Sequence, residues 1–377
     1  MKLPLDGIRV VSLAEQYPGP YATLLFADLG AEVVLVERNN GGDPARQFPD
    51  FHAALNRNKK SVTLDIKTDA GKAQLRHLVA LADVLMEGFR PGTMARLGFG
   101  YEAMAALNPG LVYVSISGFG QNGPYRDRPA HDISYQAIAG FLFRHVAQGS
   151  VDDPGSIAVG DLSSGMFAAL GTLAALLERG RTGKGRHVDV SMTDGLVSWM
   201  SVMLGPVMNG GAIADIGAEP AYGVFKCADG KLLTLSIAHE DWFWQPLCAL
   251  LELSDAALLT RPERVARGDE LRSRIAAALA TRERNVWSVD LDAAGIPWGP
   301  VNALDEVAAD PHFQARGLFR QVADGDGTVR KHVAQPLVFS GDHPGPRSGV
   351  PRLGEHTAEV LRELPRPSEP IPHPTGS

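Results

Sequence analysis

Between Gly7 and Glu37 the chain spells a strand, a helix and a second strand with few residues between them, and that unit limits the folds open to it. Gly7-Ile-Arg-Val-Val-Ser-Leu13 is an apolar run of buried-strand type. Pro20–Leu29 reads as a helix opened by Pro-Gly-Pro, and Ala31-Glu-Val-Val-Leu-Val-Glu37 as the next strand. Two such strands joined through a helix lie parallel, which predicts an α/β fold with helices covering a parallel sheet. Further strands are expected at Ser61–Asp65, Ala82–Glu87 and Leu111–Ser117, with a helix over Asp69–Leu81. A helix rich in Ala and Leu is expected over Gly165–Arg179. The loop Arg181-Thr-Gly-Lys-Gly-Arg186 then leads into the strand His187-Val-Asp-Val190. From about Gly210 the texture changes. Gly223–Ser236 reads as a hairpin with a polar turn at Asp229-Gly230, and helical segments follow to about Ala294. The expected organisation is a Rossmann-like large domain over residues 1–205 and a smaller α+β domain over 215–300. A C-terminal part, 301–365, would return to the large domain, and a Pro-rich tail, 366–377, would be disordered.

A chain of 377 residues with 45% hydrophobic content can bury more than one core. Its net charge of -7 argues against nucleic acid or an anionic membrane surface as main partner. No apolar run is expected to span a bilayer, and Met1–Asp6 lacks a signal-peptide core, so the expected location is cytoplasmic. The two cysteines, Cys227 and Cys248, have no metal-ligand spacing and read as small buried hydrophobes.

Gly118-Phe-Gly120-Gln-Asn-Gly123 matches the G-x-G-x-x-G pattern of dinucleotide sites and follows a strand. A pyrophosphate site needs a helix to start there, and Pro124 and Pro129 deny it one. Glu37 could imitate the acid that holds a ribose, but Arg38 follows it directly. Nicotinamide chemistry is therefore set aside.

The stretch Gly118–Met166 holds the residues that suit chemistry. His131 and Asp132 follow Arg128-Pro-Ala130, and Asp161 stands among small residues in Gly160-Asp-Leu-Ser-Ser-Gly165. A carboxylate near an imidazole in an apolar pocket can attack an acyl group as a nucleophile. It can equally move a proton at carbon as half of an acid/base pair. Structural roles are open to each: Asp161 as a helix N-cap, His131 as a loop cap, Glu240 as a surface acid, Asp132 as a loop or cap residue. Ser163 and Ser164 lack a G-x-S-x-G elbow, which removes a serine-hydrolase reading.

Several segments in order along the chain resemble the class III coenzyme A transferases. They are Leu5-Asp-Gly-Ile-Arg-Val-Val11, Asp28–Arg38, Asn56-Arg-Asn-Lys-Lys-Ser61 with Leu64-Asp65, and Glu87-Gly-Phe-Arg-Pro-Gly92 followed by Arg96-Leu-Gly-Phe99. Gly118–Pro124, Gly160-Asp161, Thr182–Arg186, Gly299-Pro-Val-Asn302, Asp310-Pro311, Ala315-Arg-Gly317 and Leu353-Gly-Glu-His-Thr357 continue the series. That family includes formyl-CoA and carnitine CoA transferases and the α-methylacyl-CoA racemases. The resemblance implies an intertwined homodimer whose active site lies between the large domain of one chain and the small domain of the other. It also implies an acyl-CoA substrate, with coenzyme A arriving as part of it and no permanently bound cofactor or metal.

Coenzyme A carries a pyrophosphate and a 3′-phosphate, so its site needs cations beside an apolar cleft. Arg38, at the carboxyl end of the second strand, and Lys59, Lys60, Arg90 and Arg96 in nearby loops supply them. The resemblance sets Arg38, Arg90 and Arg96 near the nucleotide and Gln16 near the pantetheine or thioester.

Two chemistries remain open. In the transferases the aspartate matching Asp161 attacks the thioester, and CoA passes through an aspartyl thioester to an acceptor acid. In the racemases the same aspartate and a histidine exchange the α-proton of a 2-methylacyl thioester through an enolate. His131, and Glu240 in Ser236-Ile-Ala-His-Glu240, match the racemase pattern, as does the absence of a glycine-rich loop at Gly217–Gly223. A 2-methylacyl-CoA racemase using His131 and Asp161 is therefore the first expectation. The alternative is CoA transfer with Asp161 as nucleophile, for which Gly160–Gly165 and Tyr222-Gly-Val-Phe225 speak.

Overall fold

The computed structural model describes residues 2–143, 157–213, 218–324, 327–340 and 344–362. The chain divides into two compact units, Met1–Val202 with Ala315–Ser377, and Met203–Gln314. The tail expected to be disordered lies outside the described residues.

In the first unit six strands form one sheet: β1 (Arg9–Ser12), β2 (Glu32–Glu37), β3 (Lys60–Thr63), β4 (Val84–Glu87), β5 (Val112–Ser117) and β6 (His187–Ser191). Their order is β3-β2-β1-β4-β5-β6, and every pairing is parallel. The chain winds outward from β1 to β3, then crosses back to lay β4 on the other side of β1. That reversal opens a crevice at the carboxyl ends of β1 and β4, the usual place for a ligand in an open α/β sheet. Side-chain alternation builds a core on each face. Val10, Val33, Val84 and Val112 pack with Phe26 and Ala168 on one side. Val11, Val34, Leu85 and Tyr113 pack with Leu75, Leu78 and Phe99 on the other.

Helix α1 (Pro18–Asp28) follows β1, with prolines in its first turn. Gly19 is required there, because a Cβ on it would lie 2.1 Å from that of Ala14. Helix α2 (Pro49–Asn56) precedes β3, and α3 (Asp69–Ala80) begins with the Thr68 hydroxyl accepting from Gly71 N at 3.1 Å. Short helices α4 (Thr93–Leu97) and α5 (Tyr101–Leu107) lead to β5, and α6 (Asp132–Ile138) follows it. Helix α7 (Val159–Thr182) precedes β6, and α8 (Met192–Trp199) follows it directly.

Helix α7 begins six residues before the expected Gly165. Gly160, Ser163, Ser164 and Gly165 are weak helix formers, but they form the face that is buried. A Cβ on Gly165 would come within 2.8 Å of the Pro18 carbonyl, so the glycine lets α7 meet α1. At 24 residues α7 is, by length and composition alone, long and apolar enough to cross a membrane, which the sequence reading did not foresee. Here its buried face packs on α1 and the sheet, within the core that holds Ala168, Ala169 and Ala175.

Where α1 ends, Asp28 is fully buried. Its carboxylate accepts from Arg57 Nη2 at 2.6 Å, from Arg57 Nε at 3.2 Å and from Asn58 Nδ2 at 2.6 Å. The C-terminal part of this unit adds an antiparallel hairpin, Phe319–Ala323 with Val329–Val333. It also lays the 354–357 segment on β3, where Gly354 N donates to Ser61 Oγ at 2.8 Å and Thr63 N to Thr357 Oγ1 at 3.0 Å.

The second unit carries an antiparallel sheet of β7 (Tyr222–Lys226), β8 (Leu232–Ser236) and β9 (Trp298–Pro300). Gly230 turns the hairpin at φ +79°, and Asp229 accepts from Lys231 N at 3.2 Å. Its core holds Trp244, Leu247, Leu271, Ile275 and Trp287 with the two cysteines, which are buried and free. Glu306 receives Lys231 Nζ at 3.0 Å and Arg284 Nη2 at 2.8 Å, which ties the stretch after β9 to this unit.

Candidate active site

Two cavities open along the carboxyl ends of the first unit's sheet. One, of about 680 Å³, lies at the crevice between β1 and β4 and is lined by Gln16, Arg90, His131 and Asp161. The other, of about 520 Å³, lies beyond β2 and is lined by Arg38, Lys67 and Arg96 over Leu13, Val36 and Ile66. Glu15 and Phe89 line both.

Asp161 is the third residue of α7. It does not cap that helix. Asp132, on α6, does so with Oδ1, which accepts from Gly160 N at 2.7 Å and from Asp161 N at 3.1 Å. The other oxygen of Asp132 accepts from Gln136 Nε2. Glycine suits position 160, since a Cβ there would lie 2.8 Å from Asp132 Oδ1. Among the described residues, none gives the Asp161 carboxylate a hydrogen bond or an ion pair. Burial, and then the charge of Asp132, push its carboxyl up to about 7. A carboxyl raised this far toward neutrality can act as base, acid or nucleophile.

His131 stands just before α6. Its carbonyl accepts from Ser134 N at 2.8 Å and Tyr135 N at 3.2 Å, while its exposed imidazole makes no capping bond. The Tyr135 hydroxyl donates to Ala130 O at 2.8 Å, which ties the loop before His131 to α6. Burial first, and the Asp161 charge second, raise the Tyr135 and Tyr17 phenols above their ordinary values. Gly118 is explained by packing: a Cβ there would lie 2.6 Å from the Tyr135 ring. No helix follows Gly118–Gly123 before Asp132, so the G-x-G-x-x-G match is a loop.

Gln16 sits in the left-handed region at φ +67°, its amide held between the two Asp43 oxygens at 3.1 and 3.0 Å. Arg38 is mostly exposed. Its Nε lies 3.3 Å from Glu15 Oε1, and its Nη2 donates to Gly42 O at 3.0 Å. Arg96 Nη2 donates to Thr93 Oγ1 at 2.9 Å. Glu37 is not free for a ribose. Arg46 reaches both its oxygens at 2.7 Å, Ser61 Oγ donates to it at 2.6 Å and Asp43 N at 3.0 Å.

The expected cations do not all gather here. Lys60 Nζ is shared by Glu32 at 2.9 Å and Glu359 at 2.8 Å, and the residue lines neither cavity. Lys59 is buried and donates to Pro20 O, Thr23 Oγ1 and Asn56 Oδ1 at 2.8 to 2.9 Å, a structural post. Both lysines read as ligand cations because most of their acceptors, Pro20 and Thr23 for Lys59 and Glu32 and Glu359 for Lys60, are remote in sequence. Glu240 belongs to the second unit. It precedes the helix Asp241–Leu250, and its Oε2 accepts from Ala238 N at 2.9 Å. Sequence reasoning passed over Arg126 and Arg128, which line the Asp161 cavity just ahead of His131. The clustering of arginines in Arg126-Asp-Arg128 was the available signal. Ser163 and Ser164 donate to the Gly160 and Asp161 carbonyls at 3.0 and 2.9 Å, so neither hydroxyl is a free nucleophile.

The chain is 34% identical to a succinate–glutarate CoA-transferase of Agrobacterium fabrum, over 96% of each chain. It is 34% identical to an acetyl-CoA:oxalate CoA-transferase of Acetobacter aceti, over 97% of each. The structure of a CAIB/BAIF family protein from Brucella suis superposes with a TM-score of 0.84 at 31% identity, covering 97% of this chain and 100% of that one. These names side with CoA transfer and lend the racemase expectation no support. The model of CoA-transferase family III matches residues 5–357, nearly the whole length described above, and the chain belongs to that family.

Proposed function

We propose that the protein moves coenzyme A from an acyl-CoA to a free carboxylic acid, with Asp161 as nucleophile. The observation that carries this reading is a half-buried carboxylate, without a hydrogen-bond or ion-pair partner among the described residues, at the wall of a cavity that adjoins a second one rimmed by Arg38 and Arg96. The cation-rimmed cavity suits the nucleotide phosphates, and the shared wall of Glu15 and Phe89 leads the pantetheine arm toward Asp161. Asp161 would attack the thioester carbonyl and expel the CoA thiolate, leaving an aspartyl–acyl anhydride. The thiolate would then attack the Asp161 carbonyl, releasing the first acid and forming an aspartyl–CoA thioester. An acceptor carboxylate would repeat both steps in reverse order. It displaces the thiolate to form a new anhydride, and the thiolate then takes the new acyl group and frees Asp161. Gln16, Arg90, Arg126 and Arg128 line the cavity in which these oxyanions would develop. The relatives' names make small di- or hydroxycarboxylates the first acceptors to try.

The test pairs succinyl-CoA and acetyl-CoA with glutarate, oxalate and malate, with a 2-methylacyl-CoA in heavy water run beside them. Expected are new acyl-CoA products, hydroxylamine-sensitive label at Asp161, and at least about a 10³-fold rate loss in Asp161→Ala. Exchange of the 2-methylacyl α-proton through both His131 and Asp161, with no transfer to any acid, would overturn the reading in favour of the racemase.

A further inference from the structure

Asp132 stands between two helices, and each of its oxygens has a separate task. Oδ1 receives the amides of Gly160 and Asp161, and the other oxygen receives Gln136 from one turn along its own helix. Gly160 leaves room for that carboxylate and for nothing larger. We propose that Asp132 is the positioning residue of Asp161, acting in two separable ways: as the acceptor that fixes the backbone carrying Asp161, and as a fixed negative charge that opposes a second one beside it.

The backbone role follows from helix ends, whose first amides lack partners within the helix. An acceptor supplied by another element locks the first turn of α7 against α6, and the third residue of that turn is Asp161. The charge role follows from what else faces Asp161. From the turn before α1 comes the phenol Tyr17; from α6 and its start, Asp132, Tyr135 and His131. Glu15, Arg90, Arg126, Asp127 and Arg128 line the same cavity, and Met192 of α8 adds no charge. Of these groups only Asp132 acts on the Asp161 carboxyl as a charge, and it acts in the same direction as burial. A more basic carboxylate attacks a thioester faster once ionised, so the pairing favours reactivity at the expense of the ionised fraction.

This inference rests on the nucleophile reading, and Asp132→Asn and Asp132→Ala test it. Asparagine keeps an oxygen for the two amides, and Gln136 can turn its own oxygen to the new amide group. The carboxyl carbon of Asp161 is followed by 13C NMR across pH, assigned by its loss in Asp161→Asn. In Asp132→Asn the midpoint and the acid limb of kcat/KM are expected to move down by roughly one pH unit. Plateau kcat should stay within about tenfold and the melting temperature close to the parent. Asp132→Ala should show the same downward shift together with a kcat loss of about 10- to 100-fold from the freed backbone. An unmoved midpoint in Asp132→Asn overturns the charge role, and equal kcat in the two variants overturns the backbone role. If the parent transfers no CoA, the function falls, while the NMR midpoint still decides the coupling.

Discussion

Asp28 and Asp161 are both acids on helices that pack together, α1 and α7, and the chain treats them in opposite ways. Asp28 is buried with its oxygens filled by Arg57 and Asn58, while Arg347 Nη1 donates to its carbonyl at 2.8 Å. Asp161 is only half-buried, and what raises its proton affinity besides burial is another carboxylate, Asp132. A buried charge answered by a guanidinium is a fixed part of the structure. One left unanswered has its proton affinity raised, and that is where reactivity is to be sought.

The widest effect is expected from removing Arg57. Arg57→Leu strands the Asp28 charge and should lower unfolding free energy by about 3–5 kcal/mol in urea melts, with activity per folded molecule unchanged. A loss under about 1 kcal/mol would erase the contrast between the two acids. Asp161→Asn should do the reverse. The Asp161 carboxyl is raised from 3.8 to about 7 in the folded chain, so the folded state favours its protonated form. Its contribution to stability is complete below about pH 4 and is lost as pH rises through 7. Asp161→Asn should therefore be more stable than the parent at pH 8 by up to about 4 kcal/mol, less where solvent reaches the half-buried group, a gain that vanishes near pH 4. Thermal melts across pH would show it, and a destabilised Asp161→Asn at pH 8 would contradict the strained-charge picture. The smallest effect extends the contrast to cations. Unlike Arg57, Arg38 is mostly exposed and Arg96 rims an open cavity, so each is available to a ligand. Arg38→Ala and Arg96→Ala should each raise KM for acyl-CoA about tenfold with kcat nearly constant, as measured by steady-state kinetics. An unchanged KM in both would remove the phosphates from that rim.

These contrasts also mark where the sequence stops being readable. The strands were legible because β1, β2, β4 and β5 are apolar runs bounded by turn residues, as strands covered on both faces must be. The start of α7 was not, since its Gly and Ser residues are placed by contact with α1 and Asp132, which local propensity does not contain. The hairpin at Phe319–Ala323 and Val329–Val333 escaped for a similar reason: its strands mix charged and apolar residues and are partly exposed. In the candidate site, Gln16, Arg90, His131 and Asp161 were all named in advance and share one cavity. Lys60 misled because Glu32 and Glu359 lie 28 and 299 positions away, and nothing local announces the pairing. Asp132 was read as a loop or cap residue, but which helix it caps lay 28 positions downstream.

Asp161 rides on a 24-residue helix packed against the sheet, whereas Gln16, Arg38, Arg90 and Arg126–His131 stand on the loops and turns around it. Heritable change can therefore be divided between them. Insertions and substitutions in those loops can reshape what is admitted while the attacking group keeps its place, so a lineage can acquire a new acceptor acid without rebuilding the step that consumes it.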